Sequence, residues 1–302
     1  MMEPLHSLEL NRYPRTAHLQ GSRLQDGDDG ADQVPLTALA GKHVVIEEKF
    51  DGANCGLSFS AGGDVLLQSR GHYLTGGGRE RQFNWLKPWA HAHADALLAR
   101  LEDRWVLYGE AMHAKHSVWY DRLPHLLLEF DLLDRRTGRF ASTLRRQALL
   151  KGLPIVSVPV LYAGPMPTEP KQLKKLVFRS LAKSRGWRQN FEQQVAREGL
   201  PLALTWRQTN PDDESEGLYL KVENEDFVEA RYKWVRAGFT QTILDSGSHH
   251  LARPILPNLL ASGADLYAPV PTLRWETLGL QTITSIEALR AFNPRAFVAQ
   301  MP

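Results

Sequence analysis

Residues 43–48 (HVVIEE) hold a short apolar run, Val44-Val45-Ile46, bounded by polar residues, and read as a strand. The same reading predicts strands at 56–60 (GLSFS) and 65–70 (VLLQSR), joined by the Gly-rich hairpin signal AGGD. WVLYGEA (105–111), HLLLEFDLLD (125–134) and VSVPVLYAG (156–164) are denser in apolar residues and read as further strands, the first two central. GLYLKVE (217–223) and FVEARYKWV (227–235) form an expected antiparallel pair. Helical spacing follows Pro88 through WAHAHADALLARL, and Pro88 suits a first turn. Ser142 is placed to cap a helix reaching Leu150. A long helical stretch is expected over 169–199, and a short one at SIEALRAF. These elements predict an α+β fold of two antiparallel sheets with flanking helices. Residues 1–36 read as a mostly irregular extension, 37–238 as the main domain, and 239–302 as a small C-terminal extension.

Composition changes the picture little. The 302 residues are 43% hydrophobic and 23% charged, and no apolar run is long enough to span a bilayer. One cysteine, Cys55, excludes an internal disulfide and suits a reducing compartment; with no apolar leader at the N-terminus, a cytoplasmic protein is expected. A net charge of +2 neither requires nor excludes a polyanionic partner.

The candidate chemistry starts at Lys49-Phe50-Asp51-Gly52-Ala53-Asn54, at the end of the first strong strand. A lysine attacks an electrophile only when deprotonated, and burial and neighbouring cations are the means of achieving that. A strand end with a solvated lysine and an Asp-Gly turn is the bland alternative. Further groups follow in order: Gln68-Ser69-Arg70, Tyr108-Gly109-Glu110, Glu129-Phe130-Asp131, 216–221 (EGLYLK) and Tyr232-Lys233-Trp234. Each lies in or at the end of an expected strand, where side chains are held rigidly.

This order of motifs, over residues 43–236, resembles that of the covalent lysine nucleotidyltransferases: DNA ligases, RNA ligases and mRNA capping enzymes. Asn54 points to the branch of RNA ligase 2, since DNA ligases and capping enzymes usually carry arginine there. The stretch from Tyr108 to Asp134 is similar to bacterial and phage members of that branch. The resemblance implies an ATP-grasp-like adenylation domain that joins RNA 3′-hydroxyl and 5′-phosphate ends. ATP is then the AMP donor and Mg²⁺ (or Mn²⁺) the metal. It implies Lys49 as nucleophile, Glu48 at the adenine edge, Glu110 at the ribose and Phe130 stacked on adenine. Arg70 would reach the nucleotide or 5′-phosphate, Asn54 the RNA end or a metal-bound water, and Glu216 the metal. Lys221 and Lys233 would neutralise the α-phosphate. The last motif usually reads K-x-K; here Arg236 stands one place late and, on a strand, faces away from Lys233 unless a bulge restores it. Arg236 is also a candidate RNA contact.

Other features stay open. The span 171–197 is rich in Lys and Arg, and a solvated helix face and RNA contact, with Lys174 and Lys175 the candidates, are both compatible with it. Lys115 and His116 are candidate RNA-end contacts by the resemblance. His91/His93 and His249/His250 lack zinc spacing, and Cys55 reads as a packed side chain. DNA nick sealing and GMP transfer remain alternatives, as does a non-catalytic RNA-end-binding module. A separate end-healing kinase or phosphatase is expected as a partner, because no phosphate-binding G-x-x-x-x-G-K loop is present.

Overall fold

The computed structural model describes residues 9–24, 33–239 and 254–301; the His249–His250 pair and the middle of the Gly/Asp-rich tract fall outside them. In chain order the strands are β1 (Ala17–His18), β2 (His43–Lys49), β3 (Ala53–Phe59), β4 (Val65–Ser69), β5 (Trp105–Ala111) and β6 (Leu127–Asp134). Then come β7 (Arg139–Phe140), β8 (Val156–Ser157), β9 (Val160–Pro165), β10 (Gly217–Glu223) and β11 (Val228–Val235). One sheet has the order β1-β11-β10-β2-β9, the other β4-β3-β5-β6-β7 with β8 beside β6. Pairing is antiparallel except for the short parallel contacts β1–β11 and β8–β6. This is the two-sheet α+β architecture expected from the alternation.

The pleat sorts each strand into two faces. In the first sheet Val44, Ile46, Leu218, Leu220 and Trp234 enter the largest apolar cluster. Leu173, Leu176 and Leu181 cover them, together with Trp275, Leu278, Leu280 and Leu289 from the C-terminal residues. In the second sheet Cys55, Leu57, Phe59 and Leu107 pack on α1 (Leu86–Ala92) and α2 (Ala94–Leu101) through Trp89, Ala90, Leu97 and Leu101. The remaining faces, which carry the charges, look at each other.

Ser142 caps α3 (Thr143–Leu150) by accepting from the Arg145 amide at 3.3 Å. Two expected helices are interrupted. The first breaks at His93, whose ring packs 5.4 Å from Trp89 and whose Nε2 lies 3.4 Å from the Leu266 carbonyl. The long stretch over 169–199 becomes α4 (Pro170–Lys175) and α5 (Trp187–Arg197). Between them Ser180 and Leu181 turn inward to Glu48, and Ser180 N–H donates to the Asp213 carbonyl at 3.0 Å; helical geometry would forfeit these bonds. Three helices, α6 (Leu202–Arg207), α7 (Ile286–Ala291) and α8 (Pro294–Gln300), complete the described set, and of these only α7 was anticipated.

Candidate active site

β2 delivers Lys49 to the mouth of the space between the sheets. Its Nζ lies 2.6 Å from Glu216 Oε2, and Gly217, the next residue, pairs with Lys49 across β10. Only glycine fits there: a Cβ would stand 2.1 Å from the Trp234 carbonyl oxygen. Past Lys49 the chain crosses to the second sheet. Asp51 anchors the crossing by accepting from the Ser117 and Val118 amides, both at 2.7 Å, while its own amide donates to the Tyr120 hydroxyl at 3.0 Å. Gly52 N–H donates to Glu110 Oε1 at 3.1 Å, and a Cβ at Gly52 would fall 2.9 Å from the Ala111 carbonyl. Asn54 then pairs with Glu110, so both side chains share the inner face.

The result is a cavity of about 430 Å³, the size of a small-molecule site. Of the residues singled out in the sequence, Glu48, Lys49, Asn54, Arg70, Glu110, His116, Phe130, Glu216 and Lys233 line it. Phe130 owes its aim to a β-bulge. Tyr108 pairs with Asp131 and Gly109 with Glu129, which leaves Phe130 as the extra residue of β6.

Electrostatics at Lys49 run against a free nucleophile. Burial lowers its pKa, but Glu216, Glu110 and Asp51 outweigh that and hold it above the ordinary lysine range. The carboxyls carry the complementary strain. Burial pushes Glu216 up to about 7 and Glu110 up to about 8, despite the pull of Lys49 on both. The carboxyls around Lys49 therefore favour added positive charge, and their donors are oxygen atoms, the set that suits a hard divalent cation. Among the described residues, no group of three or more His, Cys, Asp or Glu side chains forms a metal cage alone.

Several candidates sit elsewhere than the sequence suggested. Glu48 lines the cavity, but the pleat turns its side chain to the sheet face opposite Lys49. There its carboxylate accepts from the Ser180 hydroxyl and, at 3.2 Å, from the Leu181 amide. Burial raises its pKa to about 7. The Glu48 carboxylate is thus engaged by the 180–181 segment. Lys221 is fully buried outside the cavity lining, bound to Glu47 at 3.0 Å, Asp131 at 3.1 Å and the Phe130 carbonyl. Arg236 is buried as well, bonded to Asp212 and Asn210, so it does not replace the second phosphate lysine by way of a bulge; the irregularity in the β10–β11 pairing lies at Val222/Glu223, far from it. Lys115 donates to the His116 and Gln208 carbonyls, and Lys175 to the last carbonyls around α7 at Leu289 and Arg290. Both are tied into the fold. Lys174 is exposed on α4, away from the cavity lining.

Two features escaped the sequence reading. Beneath the cavity, Arg146 bridges Glu47 (2.5 Å) and Glu129 (3.0 Å), and Lys221 links Glu47 to Asp131, all five side chains essentially inaccessible. Arg231 approaches Asp131 at 3.6 Å, which balances three acids with three cations. The network joins the first sheet to the second. Tyr13 also enters the cavity wall, donating to Asp131 at 2.5 Å, sharing a short hydrogen bond with Tyr219 and meeting Phe130 edge-on at 5.2 Å. Only the apolar character of one residue in an irregular tract could have signalled it.

A family model described as RNA ligase matches residues 42–235, which holds every residue of the cavity except the N-terminal wall. The chain belongs to the RNA ligase family. Comparison with curated protein sequences returned no match. Similar solved structures include the Naegleria gruberi RNA ligase with PPi, 16% identical, covering 76% of this chain and 62% of that one, TM-score 0.46. A lysine-to-alanine mutant of the Naegleria gruberi RNA ligase with ATP and Mn is 15% identical, with 73% and 58% coverage and TM-score 0.45. An archaeal ATP-dependent RNA ligase is 14% identical, with 75% and 48% coverage and TM-score 0.45. This RNA ligase family member spans less than two thirds of the length of each of these chains. Among its described residues, no helix is long and apolar enough to cross a membrane.

Proposed function

We propose that this chain is an ATP-dependent RNA ligase that seals 3′-hydroxyl to 5′-phosphate ends in the cytoplasm through a lysyl-AMP on Lys49. The observation that carries the reading is Lys49 itself, at a strand end, facing Glu216 at 2.6 Å inside a nucleotide-sized cavity of an RNA ligase family chain. Lys49 Nζ loses a proton and forms a bond to the α-phosphorus of ATP as the bond to pyrophosphate breaks. AMP then passes from Nζ to the RNA 5′-phosphate, restoring Lys49, and the 3′-hydroxyl displaces it. Phe130 supplies a face for adenine, a contact worth roughly 1–3 kcal/mol by analogy with base stacking. Lys233 and Arg70 meet the phosphates, and Glu110 and Asn54 the sugar and RNA end. Glu216, with the phosphates, would hold a divalent cation, Mg²⁺ or Mn²⁺, which would supply charge neutralisation when bound. Glu48 orders the 180–181 backbone from behind. RNA ends that arrive as cyclic phosphates need a separate healing kinase or phosphatase.

Asn54, rather than arginine, favours RNA over DNA nicks or GMP transfer, and parallel assays on both nick types with ATP and GTP separate these. The primary test is intact mass after incubation with ATP and Mg²⁺. The wild type is expected to gain about 329 Da, one AMP, and Lys49→Ala nothing. A wild type that neither gains AMP nor loses it to added pyrophosphate would return the chain to the RNA-end-binding reading.

A further inference from the structure

Asp212, Asp213, Glu214 and Glu216 put four acids into five consecutive residues. Such a run repels itself and needs cations to hold one shape. Arg236 holds this one from several sides. Its Nη1 meets Asp212 Oδ2 at 2.7 Å and Glu214 Oε2 at 3.7 Å, Nη2 donates to Asn210 Oδ1 at 3.0 Å, and Nε donates to the Ser215 carbonyl at 2.9 Å. Its backbone amide donates to the Glu216 carbonyl at 3.1 Å. At the far end of the loop the Asn210 amide donates to the Ser117 carbonyl at 2.6 Å, and Ser117 is one of the two amides that fix Asp51. Arg236 thereby spans both ends of the loop that presents Glu216 to Lys49, while touching neither the cavity nor the nucleophile.

We infer that Arg236 is a positioning residue for Lys49 adenylylation, acting through the 210–216 loop that sets the place of Glu216. The inference rests on the ligase reading for its chemistry and on the fork of hydrogen bonds for its geometry. A guanidinium matches three acceptors at once, which an ammonium on a flexible stem does not. This assigns a task to the cation that stands one place beyond the usual K-x-K spacing.

Two measurements test it, on wild type, Arg236→Met, Arg236→Lys and Asp212→Asn. In hydrogen–deuterium exchange of the unliganded full chain, Arg236→Lys is expected to speed exchange over 210–216 and leave β2 and β5 protected as in the wild type; unchanged exchange in the loop overturns the inference whatever the chain's activity. In single-turnover adenylylation across ATP concentrations, Arg236→Met is expected to lower the maximal rate on the order of 100-fold, the scale of a misplacement near 1 Å. The half-saturating ATP should stay within about threefold, with partial recovery in Arg236→Lys. A wild-type maximal rate in Arg236→Met, or a loss confined to half-saturation, overturns the inference. Should Arg236→Met not fold, Asp212→Asn, which removes the negative charge facing Arg236, is expected to lose several-fold in the same maximal rate, and no loss is the contrary result. A wild type that neither takes AMP nor releases it to pyrophosphate sinks the ligase reading, while the exchange result still decides the positioning.

Discussion

Lys49 and its neighbours place one ammonium among three carboxyls, Glu216, Glu110 and Asp51, and the acids prevail: the lysine stays charged and two carboxyls are displaced upward. The cavity is therefore built for a ligand that brings cations of its own or competes for the carboxylates. Glu110 allows a test without any nucleotide. Its carboxyl titrates near 8 in the folded chain against an ordinary 4.5, with burial the main cause. A carboxyl raised on folding costs nothing below its unfolded pKa, and its penalty grows as pH climbs through the interval until it is complete above the folded pKa. Glu110→Gln removes the ionisation and keeps an oxygen for the Gly52 amide. The variant is expected to exceed the wild type in stability by on the order of 4 kcal/mol at about pH 8.5, and to match it near pH 4.5. Urea melts at both pH values check this, and a pH-independent difference would contradict the assignment.

At the scale of elements, the apolar pattern located the longer strands, but it missed the two-residue β1 and β7 and ran β8 and β9, which lie in different sheets, into one; register then brought Lys49 beside Gly217 and Asn54 beside Glu110. What alternation could not convey is which polar residues on the inner faces look into the cavity and which pair with each other. Lys221, read as a phosphate ligand, and Arg146, passed over on a helix, both belong to the charge network that joins the sheets. The broken helices failed to show for a related reason. Helical spacing at Leu173, Leu176, Val177 and Leu181 is genuine, but Glu48 needs the Ser180 hydroxyl and the Leu181 amide, and that tertiary demand overrides local propensity. By contrast Asn293-Pro294 carried a legible start signal for α8, Asn293 accepting from the Arg295 and Ala296 amides at 3.1 and 3.3 Å. The network predicts its own test. Lys221→Met leaves Glu47 and Asp131 short of one cation in a buried site, and about 3–5 kcal/mol of stability is expected to go, as when one partner of a buried pair is removed. Chemical denaturation measures it. A variant of wild-type stability that no longer adenylylates would return Lys221 to the phosphate role.

At the scale of the molecule, the family region 42–235 shares its core with residues outside it. Residues 254–301 enter the largest core cluster through Trp275, Leu278, Leu280, Leu289 and Met301, and Trp275 packs 5.6 Å from Phe50, next to the nucleophile. Their backbone is stitched to the main body at several points. The Lys115 amide donates to the Leu256 carbonyl at 2.8 Å, Ala261 N–H to Leu123 at 2.8 Å, Ile283 N–H to Leu161 at 3.0 Å, and Ala163 N–H to Ile283 at 2.9 Å. Burial of each large apolar side chain contributes roughly 1.5–3 kcal/mol, so losing these five approaches the whole net stability of a typical domain, about 5–15 kcal/mol. A chain ending at residue 253 would also expose the face of Phe50 that Trp275 covers, and so loosen the turn that aims Lys49. Such a truncation is expected to lose its cooperative thermal transition and to take no AMP, with calorimetry and intact mass as the measurements. If it instead melts cooperatively at the wild-type temperature and adenylylates at the wild-type rate, the C-terminal residues decorate a core that stands without them, and the support of Phe50 comes from Tyr120, whose ring lies 5.4 Å away.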